Sequence, residues 1–151
     1  MADRPGPEPA GSPSAPALRR WTYRIFGLLA VQFVLGMAVN LFGSFPDGVT
    51  TLGGTFLYQG DPLLLLHITL AAILLGAALI TVLLALSREV PWSARAAVLL
   101  AAGGVFGAAV AGYLFVSSGF SDDRDSFAMA LGFLLAIVGY GTALPELPRP
   151  P

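Results

Sequence analysis

The chain has 151 residues, with eight basic side chains (all Arg), nine Asp or Glu, one His and no Cys. Charged residues make up 11% and hydrophobic residues 56%, whereas a soluble domain carries about 25% charged residues. That supply of charge cannot cover a 15.7 kDa globule in water, and the mean hydropathy of +0.77 agrees, so the chain reads as a membrane protein. The net charge of −1 points away from nucleic acid. The lack of Cys removes disulfides, thiolate nucleophiles, iron–sulfur clusters and Cys-ligated zinc. The lack of Lys removes Schiff-base chemistry and P-loop phosphate binding.

Residues 1–20 hold five Pro, two Gly, two Ser and almost no apolar run. Such a stretch buries too little surface to offset chain entropy, which predicts a disordered tail. A transmembrane domain then runs over 21–144, with spans at about 21–42, 62–87, 94–116 and 125–144. Each span has about 20 residues or more, enough to cross roughly 30 Å of hydrocarbon at about 1.5 Å per residue. A polar, Gly-containing loop, 43–61, separates the first two spans, and a short Pro-rich tail, 145–151, ends the chain. The first span could alternatively be a signal peptide cleaved near Gly36-Met37-Ala38. Its apolar run continues through Val39-Asn40-Leu41-Phe42, which favours a retained helix.

Helix punctuation agrees with these limits. Asp61-Pro62 is an N-cap with Pro at the first helical position. Ser93 is the expected cap of the third span, and Asp122 or Asp123 that of the fourth. Arg88 lies just past the second span, where the helix dipole favours a cation. Arg4, Arg19, Arg20, Arg24, Arg88, Arg95 and Arg149 share one side, against Arg124 alone on the other beside Asp47, Asp61, Asp122, Asp123 and Asp125. The positive-inside rule then predicts an all-α, up-down-up-down four-helix bundle with both termini cytoplasmic. Trp21, Tyr23 and Trp92 form an inner aromatic belt, with Phe45, Phe56, Tyr58 and Phe120 near the outer interface.

Small residues let membrane helices approach closely. The third span has two such rows, Gly103/Gly107/Ala111 and Gly104/Ala108/Gly112, and should pack on two sides. The second span offers Ala72 and Gly76, and the fourth Ala128, Gly132 and Ala136.

Below the interface the spans hold no carboxylate, and His67, about 7.5 Å along the second span, is the one strongly ionisable group there. Ion-coupled transport usually needs more. Met37 and Asn40 near the end of the first span, Ser117 and Ser118 at the end of the third, and Met129 near the start of the fourth share its depth. Gln32 is the only other strongly polar mid-span residue. His67 could simply hydrogen-bond a neighbour, and the methionines could be apolar filler. Alternatively, His67 with Met129 or Met37 could supply axial ligands to a b-type haem, or the same set could hold Cu(I). Asn40 and Ser117 would stand behind the ligands. With one His, bis-histidine ligation requires a homodimer. Zinc has too few good ligands here.

Gln32-Phe33-Val34-Leu35-Gly36 in the first span, the long loop, and Leu65-Leu66-His67 resemble one four-helix half of a haem A synthase, and more loosely a cytochrome b561-type bundle. The resemblance covers roughly residues 25–85 and implies a haem site between helices near a membrane face. Only His67 maps onto a family ligand. The second ligand of such a half is a histidine on its fourth helix, where this chain has Met129. The chain also resembles small four-span proteins of high-G+C bacteria, through the Gly36-x-x-x-Asn40-Leu41 string, which implies a bacterial inner membrane. Two functions are therefore expected to compete. One is an accessory or assembly subunit of a membrane complex, contacting lipid and, through loop 43–61, another membrane protein. The other is a haem-binding or electron-transfer protein with His67 as axial ligand.

Overall fold

The computed structural model describes residues 15–58, 61–87 and 89–147. They form helices α1 (Ala15–Phe42), α2 (Leu52–Tyr58), α3 (Pro62–Leu86), α4 (Trp92–Ser117) and α5 (Asp123–Glu146), with no strand among the described residues. The four long helices are each long and apolar enough to cross a bilayer. They stand in a ring in chain order: α1 beside α3, α3 beside α4, α4 beside α5, and α5 back beside α1. The short α2 belongs to the connection between α1 and α3.

The bundle alternates in direction, and its two ends differ in chemistry. At one end α1 begins and α5 finishes: the Arg19 guanidinium donates to the Leu147 carbonyl at 3.1 Å. The start of α4 meets the close of α3 there, where Arg95 Nε donates to the Ala85 carbonyl at 3.2 Å. Both contacts place a cation on the open carbonyls of a helix C-terminus, where backbone acceptors and dipole favour it. Arg88 itself lies outside the described residues. Leu18, Ala85, Ala94, Val98, Ala143 and Leu147 form an apolar cluster at this arginine end. A second cluster fills the middle of the bundle around Ile25, Leu29, Leu74, Val105, Ala136 and Tyr140. The opposite, acidic end carries Asp47, Asp61, Asp122, Asp123 and Asp125.

Outward faces are apolar along all four long helices: Val34, Ile73, Leu83, Phe106, Phe127 and Leu134 are among many large exposed side chains. A helix that is apolar all round has no stripe to hide from water; here the outer faces fit lipid contact.

The closest helix pair is α4 with α5. A Cβ added at Gly104 would lie 2.5 Å from the Gly132 carbonyl oxygen, and one at Gly132 would lie 2.6 Å from the Ala108 nitrogen. A Cβ at Gly139 would meet the Ala101 nitrogen at 2.6 Å. The row Gly104/Ala108 thus mates with Gly132/Ala136, backbone on backbone, as small-residue rows predict. The other row does not. Nothing lies within 4 Å of a Cβ at Gly103, Gly107 or Gly76. α4 still packs on two sides, but toward α3 Gly103 faces an open apolar groove beside Ala78, Leu79, Val82 and Phe106.

Several helix limits depart from the sequence reading. α1 begins at Ala15 rather than near residue 21, because Leu18 and Thr22 are buried at the arginine end and draw the segment into the helix. Residues 1–14 of the expected tail, and 148–151 of the closing one, lie outside the described residues. α4 starts at Trp92 with Pro91 as cap residue and no side-chain cap bond. Ser93, expected as the cap, lies inside the first turn and its hydroxyl donates to the Glu146 carboxylate at 3.0 Å. The loop between the first two spans contains the short helix α2, which its polar, Gly-containing sequence does not announce. Thr51 caps it, its hydroxyl accepting from Gly54 N–H at 3.0 Å. Asp61 and Asp122 cap α3 and α5 as expected.

Candidate functional site

His67 lies on α3, five residues past Pro62, and its side chain meets α1. The Gln32 amide donates to His67 Nε2 at 3.3 Å and to the His67 backbone carbonyl at 3.2 Å. An amide nitrogen has two hydrogens and both are used. With the amide donating to Nε2, the neutral ring has its proton on Nδ1. One helical turn along α1 from Gln32, Gly36 admits the ring edge: a Cβ there would sit 3.1 Å from His67 Cε1. Gln32 and Gly36 at i and i+4 thus present one polar group and one notch on the same helix face. His67 Nδ1 and Gln32 Oε1 are buried without partners among the described residues.

The other residues singled out from sequence do not join this arrangement. Met37 and Asn40 are exposed, Met37 at 45%. Met129 packs its sulfur into the notch at Gly112, 3.2 Å from where a Cβ would stand, in the α4–α5 seam. Ser117 is exposed, and its hydroxyl donates to the Tyr113 carbonyl of its own helix at 2.9 Å. Neither ring nitrogen of His67 bonds a methionine sulfur. An axial ligand must offer a ring lone pair to iron. Nε2 of His67 faces Gln32, so ligation through that nitrogen requires the amide to leave. No group of three or more His, Cys, Asp or Glu able to hold a metal ion occurs among the described residues.

Sequence reading noted Gln32 but did not pair it with His67. The available signal was the scarcity itself. Two polar mid-span side chains on successive antiparallel helices are each costly in lipid and relieve that cost by bonding each other.

Polar hydroxyls in the spans are otherwise satisfied locally. Thr69, Thr81 and Thr142 each donate to a carbonyl of their own helix four residues back, at 2.8–2.9 Å. The enclosed Tyr140 hydroxyl has Thr81 as its polar neighbour but no partner at hydrogen-bond geometry among the described residues.

The acidic end is built more firmly than the spans require. Asp61 Oδ1 accepts from Leu63 and Leu64 N–H at 2.8 and 3.3 Å, and Oδ2 accepts from Ser44 N–H at 2.6 Å. One carboxylate thus caps α3 and pins the loop leaving α1. The Ser44 amide above all, and then those of Leu64 and Leu63, hold its carboxyl below the ordinary value of 3.8 against the opposing effect of burial. At the far end of α4, Gly119 and Phe120 both have positive φ, 68° and 61°. Their N–H groups bond the carbonyls of Val116 and Phe115, the Schellman pattern that closes a helix. Phe120 tolerates this conformation because its ring packs edge-on to Phe115 (5.6 Å) and stacks on Phe45 from the loop (5.0 Å).

No family model matches the chain, and no curated protein or solved structure is significantly similar to it.

Proposed function

We propose that this small multi-pass membrane protein is an accessory or assembly subunit of a larger membrane complex, and that the connection 43–61 is its contact surface. The carrying observation is a set of large apolar side chains presented on an anchored loop. Leu57 on α2 is 83% exposed, Phe56 46%, and Phe42 at the end of α1 77%. In the same connection Pro46 and Thr55 are buried, Asp61 pins Ser44, and Phe45 is clamped between two other rings. A loop held this way loses little entropy when a partner covers it. Its length also exceeds the roughly two to eight residues usual between bundle helices.

In this reading His67 and Gln32 form a packing link between α1 and α3, and the chain carries neither haem nor copper. The excess of arginine supports a cytoplasmic arginine end with the loop on the outer side, in a bacterial inner membrane on this reading. The partner is then another protein of that membrane, met at its outer surface.

A photo-crosslinking residue at Leu57 in native membranes tests this. The expected result is one discrete protein adduct, absent when the crosslinker stands at the outward-facing Leu83. Lipid adducts alone from both positions would overturn it.

A further inference from the structure

Three arginines fall within six residues at the start of α1, and the fold gives them different tasks. Arg19 turns toward the bundle. It donates to the Leu147 carbonyl at 3.1 Å and to the Tyr23 hydroxyl at 3.3 Å. Arg20 and Arg24 are both exposed and stand one turn apart. With Ala17 and Trp21 they line a hollow of about 240 Å³ on a single face of the helix. No Asp or Glu among the described residues pairs with either guanidinium. The Arg24 guanidinium lies over the Trp21 ring, 5.5 Å from its centroid, which holds the arginine beside the hollow.

An open hollow with two cations and no anion among the described residues suits an anionic ligand. Guanidinium groups bind phosphate oxygens through paired N–H donors. Tryptophan favours the headgroup level of a bilayer, where its ring is half in hydrocarbon. Ala17 is the smallest side chain on the face and leaves the space between the two arginines and the indole. The helix continues into the bilayer from this point, so the hollow lies at headgroup depth at the arginine end.

We propose that Arg20, Trp21 and Arg24 form a binding site for the headgroup phosphate of an anionic phospholipid in the adjoining leaflet. The lipid's net charge matters because the site has no carboxylate among the described residues to receive the ammonium of a zwitterionic headgroup. The site is at the opposite end of the bundle from loop 43–61 and does not depend on the function of that loop.

Thermal unfolding of the full-length protein in mixed micelles tests the proposal. Ligand binding to the folded state alone raises the unfolding temperature. Added phosphatidylglycerol is expected to raise the Tm by several degrees more than the same amount of phosphatidylcholine. The double variant Arg20→Gln/Arg24→Gln should lose that difference while keeping the wild-type Tm in phosphatidylcholine. Arg20→Lys/Arg24→Lys, which keeps both charges, should keep most of it, and native mass spectrometry should show one phosphatidylglycerol retained by wild type and none by the Gln variant. Arg19→Gln, which breaks the contact with Leu147, should lower the Tm equally in both lipids. Equal stabilisation by the two lipids, or a lipid preference that survives in the Gln variant, would overturn the site. So would millimolar inorganic phosphate reproducing the whole effect, since the ligand would then be a soluble anion.

Discussion

Asp61 shows how much one side chain can organise. It caps α3 through two backbone amides and reaches across to a third on Ser44, so the entry to the first transverse connection and its exit share one carboxylate. The cap was legible in the Asp-Pro pair; the latch to Ser44 was not, because nothing in the spacing shows which amide a second oxygen will meet. Removing the acceptor with Asp61→Ala should lower stability by about 0.5–2 kcal/mol, the usual range for an N-cap. The carboxyl titrates lower in the folded protein than its ordinary value. Its stabilisation is therefore full above the unfolded pKa of about 3.9 and is lost as pH falls through the lower folded value. Denaturant midpoints measured from pH 7 down to pH 2 should decline below about pH 4 in wild type. Asp61→Asn should flatten that decline. An unchanged acid profile would contradict the assignment.

Between helices, the lesson is that a small-residue row states a capacity for close packing and leaves the partner open. α4 carries two rows side by side, and only Gly104/Ala108 is used for backbone contact, against α5. Both rows have the same chemistry, so sequence could not rank them. Gly132 and Gly139 across the seam, in register with Ala108 and Ala101, decide the matter. Gly104→Ala should force the seam apart, with a loss of about 1–3 kcal/mol as for other overpacked cores. Gly103→Ala, one residue away, points into open space and should be neutral or slightly stabilising, through helix propensity of up to about 1 kcal/mol. Unfolding of the two variants in graded detergent denaturant distinguishes them. Similar losses would place the seam elsewhere. The missed α2 belongs to this scale too. Two glycines inside a seven-residue helix weaken its local signal, and the Thr51 cap together with burial of Thr55 supplies what propensity lacks.

For the molecule as a whole, length, hydropathy and arginine placement already pointed to four spans, and the bundle has them in ring order with alternating direction. The candidate site was legible only in part. His67 stood out because it is the one histidine, but whether it faces a methionine, a cofactor or another helix depends on rotation about each helix axis. That rotation is set by notches such as Gly36 for His67 and Gly112 for Met129, which seat the two side chains in different seams. His67 and Gln32 join α1 and α3, and the proposed function gives this pair a packing role alone. An absorption spectrum tests it most directly, taken on full-length protein purified in detergent from cells supplied with ample haem, oxidised and then reduced. The expected result is a colourless protein with no Soret band. A Soret band present in wild type and abolished by His67→Ala would contradict it.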